Sequence, residues 1–141
     1  MDGFRHVVPI EVRFHDLDAL GHVNNTVYLV YAETGRLSYL AELGFTLPIT
    51  HWSDFTLIVV HTSCDFKKPI LYGQKVAVGT HVTAINRSSM RLDYRIESEG
   101  KLAAEGYAIV VYYDHASNCA KPIPQEMRTK IEAFENDKLS N

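Results

Sequence analysis

The stretch "RFHDLDALGHVNNTVYLVYAETGR", Arg13 to Arg36, decides how the rest of the chain is read. Its first half crowds His15, Asp16, Asp18 and His22 beside Gly21 and ends on Asn24 and Asn25. Its second half turns apolar and aromatic with hardly a break and runs on through "LSYLAEL" to Gly44. The length, the asparagine start and the glycine stop predict one helix with an N-cap and a left-handed residue after its end. Val27, Val30, Tyr31, Thr34, Leu37 and Ala41 mark one face, and Leu29, Ala32, Tyr39, Leu40 and Leu43 add apolar groups on others. A helix apolar on most sides is expected to be buried. Glu33 and Arg36, three residues apart, are expected to pair.

Outward from the helix, the period changes to two. Val8, Ile10, Val12 and Phe14 alternate with Pro9, Glu11, Arg13 and His15 and predict a strand upstream. Downstream, about Phe55 to Phe66 and Lys75 to Ile85 read as strands, the latter with Val76, Val78, Thr80 and Val82 on one face. In "SMRLDYRIES" Met90, Leu92, Tyr94 and Ile96 face one way. "LAAEGYAIVVYYD" is nearly all apolar, as expected at a sheet centre or an oligomer interface. "PQEMRTKIEAFEND" predicts a short charged helix with Pro124 in its first turn. A strand, a long helix, four strands joined largely by hairpins and a terminal helix make an α+β chain. The long helix is then wrapped by a curved antiparallel five-stranded sheet, since nothing else in the chain is there to cover it.

Composition bounds the function. The 141 residues suit one domain, 1–141, with a real core. A hydrophobic fraction of 46% and a charged fraction of 22% are those of a globular protein. The net charge of −3 excludes a global basic field for nucleic acid or an anionic membrane. Cys64 and Cys119 lie far apart, which argues against a disulfide framework or a cysteine zinc site. The start lacks the apolar core of a signal peptide, and no apolar run approaches a membrane span, so a cytoplasmic protein is expected.

Asp16 and Asp18 are the first candidates for chemistry. A carboxylate in a loop activates water or attacks a carbonyl when it is within reach and partly desolvated. Asp is equally at home in loops and caps, where it binds backbone N–H groups, and spacing alone does not choose. A metal site from His15, Asp16, Asp18 and His22 is disfavoured, because neighbours at a strand end diverge and the remaining histidines are scattered. The helix start offers unpaired N–H groups and partial positive charge to a carbonyl oxygen, beside the plain capping role of Asn24 or Asn25. His22 reads either as a proton shuttle or as a residue closing the loop. Lys67 and Lys68, and Arg87, Ser88 and Ser89, stand at strand ends and turns, where they either hold a phosphate or are solvated surface.

The loop and helix together resemble the hotdog-fold acyl-CoA thioesterases of the 4-hydroxybenzoyl-CoA thioesterase-like family. The resemblance covers about residues 6 to 124, and the "D-x-D-x-x-G-H-V-N-N" loop is its specific part. It implies a hotdog fold over a single thioesterase domain. It also implies hydrolysis of acyl-CoA thioesters to a free carboxylic acid and coenzyme A. By that resemblance Asp16 is the catalytic base or nucleophile, while Asp18 and His22 support the loop. The amides near Val23, Asn24 and Asn25 polarise the thioester carbonyl, and Lys67, Lys68, Arg87, Ser88 and Ser89 meet the nucleotide end. No metal and no cofactor beyond the substrate's own coenzyme A is expected. The implied partners are an acyl-CoA or acyl-carrier-protein substrate and further copies of the chain, as a homodimer or homotetramer, with no nucleic acid and no membrane. The alternatives are a non-catalytic acyl-thioester-binding protein and a hotdog dehydratase. Chain-length preference would rest on side chains such as Phe45, Trp52, Phe55 and Tyr72.

Overall fold

The computed structural model describes residues 1–45, 51 and 56–139. The chain runs β1 (His6–Ile10), a 3-10 turn (Phe14–Asp16), α1 (Asn25–Glu42), β2 (Leu57–Thr62), β3 (Asp65–Phe66), β4 (Val76–Ile85), β5 (Ser89–Ser98), β6 (Lys101–Asp114), β7 (Cys119–Ala120) and α2 (Gln125–Glu135). The long strands form one antiparallel sheet in the order β1-β4-β5-β6-β2, and the two-residue strands β3 and β7 both pair with β6. The sheet curls around α1 in the expected hotdog arrangement. Two core clusters fill the space between them. One gathers Tyr28, Tyr31 and Ala32 with Val78 and Ile96, and the other Tyr39 and Leu40 with Val82, Met90 and Ile131.

Local chemistry explains the helix. Asn24 is the N-cap in extended backbone, and its side-chain oxygen accepts the Thr26 N–H at 2.9 Å. Leu43 caps the other end and Gly44 follows with φ +85°, the left-handed turn that favours glycine. α1 buries Tyr28, Tyr31, Ala32, Gly35, Arg36, Tyr39 and Leu40, a three-and-four spacing. At Gly35 the helix meets β4 so closely that a Cβ would lie 2.6 Å from Val78 Cγ1.

Burial of α1 is less complete than its composition predicts. Leu29, Val30 and Leu37 stay exposed, as do Val59 and Val60 of β2. A single curled sheet covers one flank of a helix and leaves the second apolar stripe exposed. The upstream strand also stops earlier than its alternation suggests, at Ile10, and Phe14 stands 78% exposed in the 3-10 turn. The expected second strand divides at Ser63–Cys64 and carries a register shift between Val59 and His61, a β-bulge that leaves Val60 turned outward. Pro124 is the N-cap of α2, one residue before its first turn. β4 and β5 keep the predicted inward faces: Val76, Val78, Thr80 and Val82 are buried, as are Met90, Leu92, Tyr94 and Ile96. Phe55 and Trp52 lie outside the described residues.

Candidate active site

Between β1 and α1 the chain folds into two tight turns, and these place the two aspartates differently. The 3-10 turn closes when the Asp16 N–H donates to the Arg13 carbonyl at 2.9 Å. That turn swings the Asp16 carboxylate inward, where it is 1% exposed. One oxygen, Oδ2, accepts from the Arg13 N–H at 3.0 Å and the Tyr31 hydroxyl at 2.8 Å. The other, Oδ1, accepts from Arg13 Nε at 3.2 Å and Nη2 at 3.0 Å. Burial pushes this carboxyl upward, but the Arg13 N–H, the Tyr31 hydroxyl and the Arg13 guanidinium together hold it below the ordinary carboxylate range. Burial and the adjacent carboxylate push the Tyr31 phenol up, so it remains a proton donor. The Asp16 carbonyl accepts the Asn24 N–H at 2.9 Å, which ties the turn to the helix start.

Asp18 opens the second turn. Its N–H donates to the His22 carbonyl at 2.9 Å, and the Gly21 N–H donates to its own carbonyl at 3.0 Å. Gly21 takes φ +80°, a conformation that suits glycine. The Asp18 side chain is half-buried, and its Oδ1 accepts the Leu20 N–H at 2.9 Å. Its second oxygen has no hydrogen bond among the described residues.

A cavity of about 350 Å³ lies against the start of α1, lined by Asp18, His22, Val23, Asn25, Tyr28, Phe66, Lys67 and Lys68, with Asp16 outside it. The structure therefore separates the pair. Asp16 has the surroundings expected of a loop-holding carboxylate, and Asp18 is the one that faces open space. Asp16 is the residue that the family resemblance assigns to the chemistry, and its carboxylate hydrogen-bonds to Tyr31 and Arg13.

The three amides expected to meet a carbonyl also divide. The Val23 N–H donates to the Ile70 carbonyl at 2.9 Å, and Asn24's to Asp16. Asn25, the first helical residue, keeps an N–H with no acceptor among the described residues, and no acidic side chain stands in the first turn to neutralise it.

His22 lines the cavity and its backbone bridges to Leu71, which closes the loop. The backbone N–H groups of Lys67 and Lys68 both donate to the Ala103 carbonyl, at 2.8 and 3.0 Å, and neither ammonium joins an ion pair among the described residues.

Arg87, Ser88 and Ser89 are not brought to this cavity. The Val76 end of β4 pairs with Ile10, and the Ile85 end leads into the Arg87 turn, so a rise of ~3.3 Å per residue puts that turn about 30 Å away along the strand. There the Arg87 carbonyl accepts from Ile123 at 2.8 Å and the Ser88 carbonyl from Tyr112 at 2.8 Å.

Three residues that reading the sequence passed over complete the site. Arg13 and Tyr31 hold Asp16, and Tyr28 donates to the Lys68 carbonyl at 3.0 Å while stacking edge-on against Phe66. Tyr28 and Tyr31 read as ordinary members of an apolar helix, and no local signal marks their hydroxyls as used. Among the described residues no three metal-ligating side chains stand together, and no helix is long and apolar enough to cross a membrane.

A family model described as the thioesterase-like superfamily matches residues 12–131. A thioesterase from Thermus thermophilus, solved with coenzyme A and zinc, superposes with a TM-score of 0.85 at 34% identity, over 96% of this chain and 98% of that one. The acyl-acyl carrier protein thioesterase ATL3 of Arabidopsis thaliana is 29% identical over 92% of this chain and 68% of its own length. The long-chain acyl-CoA thioesterase FadM of Escherichia coli K12 is 27% identical over 87% of this chain and 94% of its own.

Proposed function

This chain belongs to the thioesterase-like superfamily and is a thioester hydrolase, and we propose that it cleaves acyl-CoA or acyl-carrier-protein thioesters in the cavity at the start of α1. One observation carries the reading: an unbonded helix N-terminal amide, a carboxylate with a free oxygen and two unpaired lysines line the same cavity.

Each feature has a part. The thioester oxygen accepts the Asn25 N–H, and the positive end of α1 stabilises charge as it develops there. Asp18 either takes a proton from an attacking water or attacks the carbonyl itself. In both routes the carbon–sulfur bond breaks, the thiol leaves as coenzyme A or carrier protein, and water supplies the oxygen of the free acid. Lys67 and Lys68 meet the phosphates of the carrier arm. His22 sits where it can orient Asp18 or relay the leaving proton. Asp16 positions the loop through Arg13, Tyr31 and Asn24. The bond-breaking step in this scheme draws on a carboxylate, the Asn25 amide and water, and no metal or cofactor enters it.

A second reading keeps Asp16 as the reacting group. Its carboxylate is held ionised and its backbone adjoins the helix start, but Arg13, whose side chain is 65% exposed, would first have to swing away. Thiol release from a panel of acyl-CoA and acyl-carrier-protein thioesters separates the two. Asp18→Asn is expected to lose at least about 100-fold in kcat, with Asp16→Asn less affected. The opposite order supports the second reading, and release by neither carrier from the wild type sinks the proposal.

The exposed stripe of Leu29, Val30 and Leu37, beside Val59 and Val60 on the edge strand, suits a second copy of the chain. We include a homodimer in the proposal; sedimentation of the purified chain as a monomer would overturn it.

A further inference from the structure

One buried charged side chain of α1 is left without a role in that scheme. Arg36 lies on the buried face of α1, 9% exposed, on the wall of a cavity of about 340 Å³ between α1 and β2. Leu37, Leu40, Leu57 and Val59 make the rest of that wall apolar, Leu37 and Val59 also bordering the face that the proposed homodimer covers, and Phe45 and Tyr72 do not line it. Glu33 stands at the rim with Oε2 3.8 Å from Arg36 Nη2, beyond hydrogen-bond reach. The guanidinium has five N–H donors and donates to no neighbour among the described residues. Burial pulls its pKa below the usual value, and Glu33 opposes this. A buried cation without hydrogen bonds is costly, and plain hydrocarbon in the cavity would not relieve it.

The cavity lies on the same flank of α1 as the one at Asn25, the first against Leu57 and Val59 and the second against Phe66. Eleven residues separate Asn25 from Arg36, about 16 Å at ~1.5 Å per residue. The side chain leans back toward the helix start, which shortens the span to roughly 10–14 Å. An extended chain advances ~1.2 Å per bond, so the span corresponds to about eight to twelve carbons.

We propose that Arg36 and Glu33 form a subsite for an oxygen at the far end of the acyl chain, so that thioesters of ω-hydroxylated medium-length acids are preferred over plain ones. This rests on thioester hydrolysis with the carbonyl at Asn25. A hydroxyl oxygen accepts from the guanidinium, and its O–H donates to the Glu33 carboxylate. A terminal carboxylate would meet Glu33 as a like charge, and a methyl end would leave Arg36 with its ion pair to Glu33 but no hydrogen bond. Sites built to hydrogen-bond a hydroxyl discriminate strongly against the analogue that lacks it.

The test is thiol release from dodecanoyl-, 12-hydroxydodecanoyl- and 11-carboxyundecanoyl-CoA. The wild type is expected to favour the hydroxylated substrate over the plain one about tenfold in kcat/KM, and Arg36→Met to bring that ratio to about one. A wild-type ratio near one, a ratio unchanged in Arg36→Met, or a preference for the carboxylated chain overturns the assignment. Should Arg36→Met not fold, Arg36→Lys, which keeps the charge and loses the fork, is expected to lower the ratio, and an unchanged ratio overturns it. If no thioester is cleaved, the hydrolytic scheme fails by itself. The subsite is then read by thermal shift, with 12-hydroxydodecanoic acid raising Tm more than dodecanoic acid in the wild type only. Equal shifts overturn it.

Discussion

Replacing Asn25 by proline removes one N–H together with an exposed side chain that makes no hydrogen bond among the described residues. Proline is favoured at the first helical position, because its fixed φ suits the helix and the missing N–H has no intrahelical acceptor there. The residue before a proline must be extended, and Asn24 already is, with φ −61° and ψ 143°. The Asn25 side chain is exposed, and the cap made by Asn24 with Thr26 does not involve it. Stability is therefore expected to change by less than about 0.5 kcal/mol, as for surface substitutions. Catalysis is another matter. Loss of one amide that meets a developing oxyanion costs about 2.7–4 kcal/mol, roughly 100- to 1,000-fold in kcat. Asn25→Ala keeps the N–H and serves as the control, expected within about threefold of wild type. The assay is steady-state thiol release on a good acyl-CoA substrate, with circular dichroism and Tm to show that α1 is intact. Asn25→Pro with near wild-type kcat would refute the assignment of this amide. Equal losses in Asn25→Ala would show that the side chain, and not the backbone, is at work.

Asp16→Asn is expected to lower stability by about 2–3 kcal/mol through the buried bond from Tyr31 and the Arg13 N–H, the mostly exposed guanidinium adding little. For this chain length that is about 6–10 °C in Tm. The pKa of Asp16 is lower folded than unfolded, so its contribution is present above the unfolded value of about 3.9 and lost as pH falls through the folded one. The Tm gap between wild type and Asp16→Asn should accordingly hold at pH 7 and close below about pH 4; a gap that widens in acid contradicts the hydrogen-bond account. Gly35→Ala is expected to cost about 1–2 kcal/mol in denaturant unfolding, because the added Cβ falls 2.6 Å from Val78 Cγ1 and outweighs the gain in helix propensity. Lys67→Ala and Lys68→Ala are each expected to raise KM roughly three- to tenfold at low salt and less at high salt, with kcat little changed. An effect insensitive to salt argues against a phosphate contact.

Much of the fold was legible because its signals are local. Alternation in "SMRLDYRIES" and "VAVGTHV" reports which side of a strand is buried, and the structure buries those sides. An asparagine cap and the Gly44 stop bound α1 as the sequence predicts, the structure choosing Asn24 over Asn25. The buried face of α1 was not legible, because apolar residues occupy most of its circumference and only the position of the sheet selects Tyr28, Tyr31, Gly35 and Tyr39 over Val30 and Leu37. The candidate site divides the same way. That two carboxylates and a helix start stand together follows from the chain alone, since a short loop leaves them nowhere else to go. Which carboxylate is spent on Tyr31, fifteen residues further on, and which faces the cavity is settled by packing. Packing likewise selects which of three amides is left unbonded once Ile70 and Asp16 have taken the other two. Those outcomes depend on Tyr31 and Ile70, outside the loop, as well as on Arg13 and Asp16 within it.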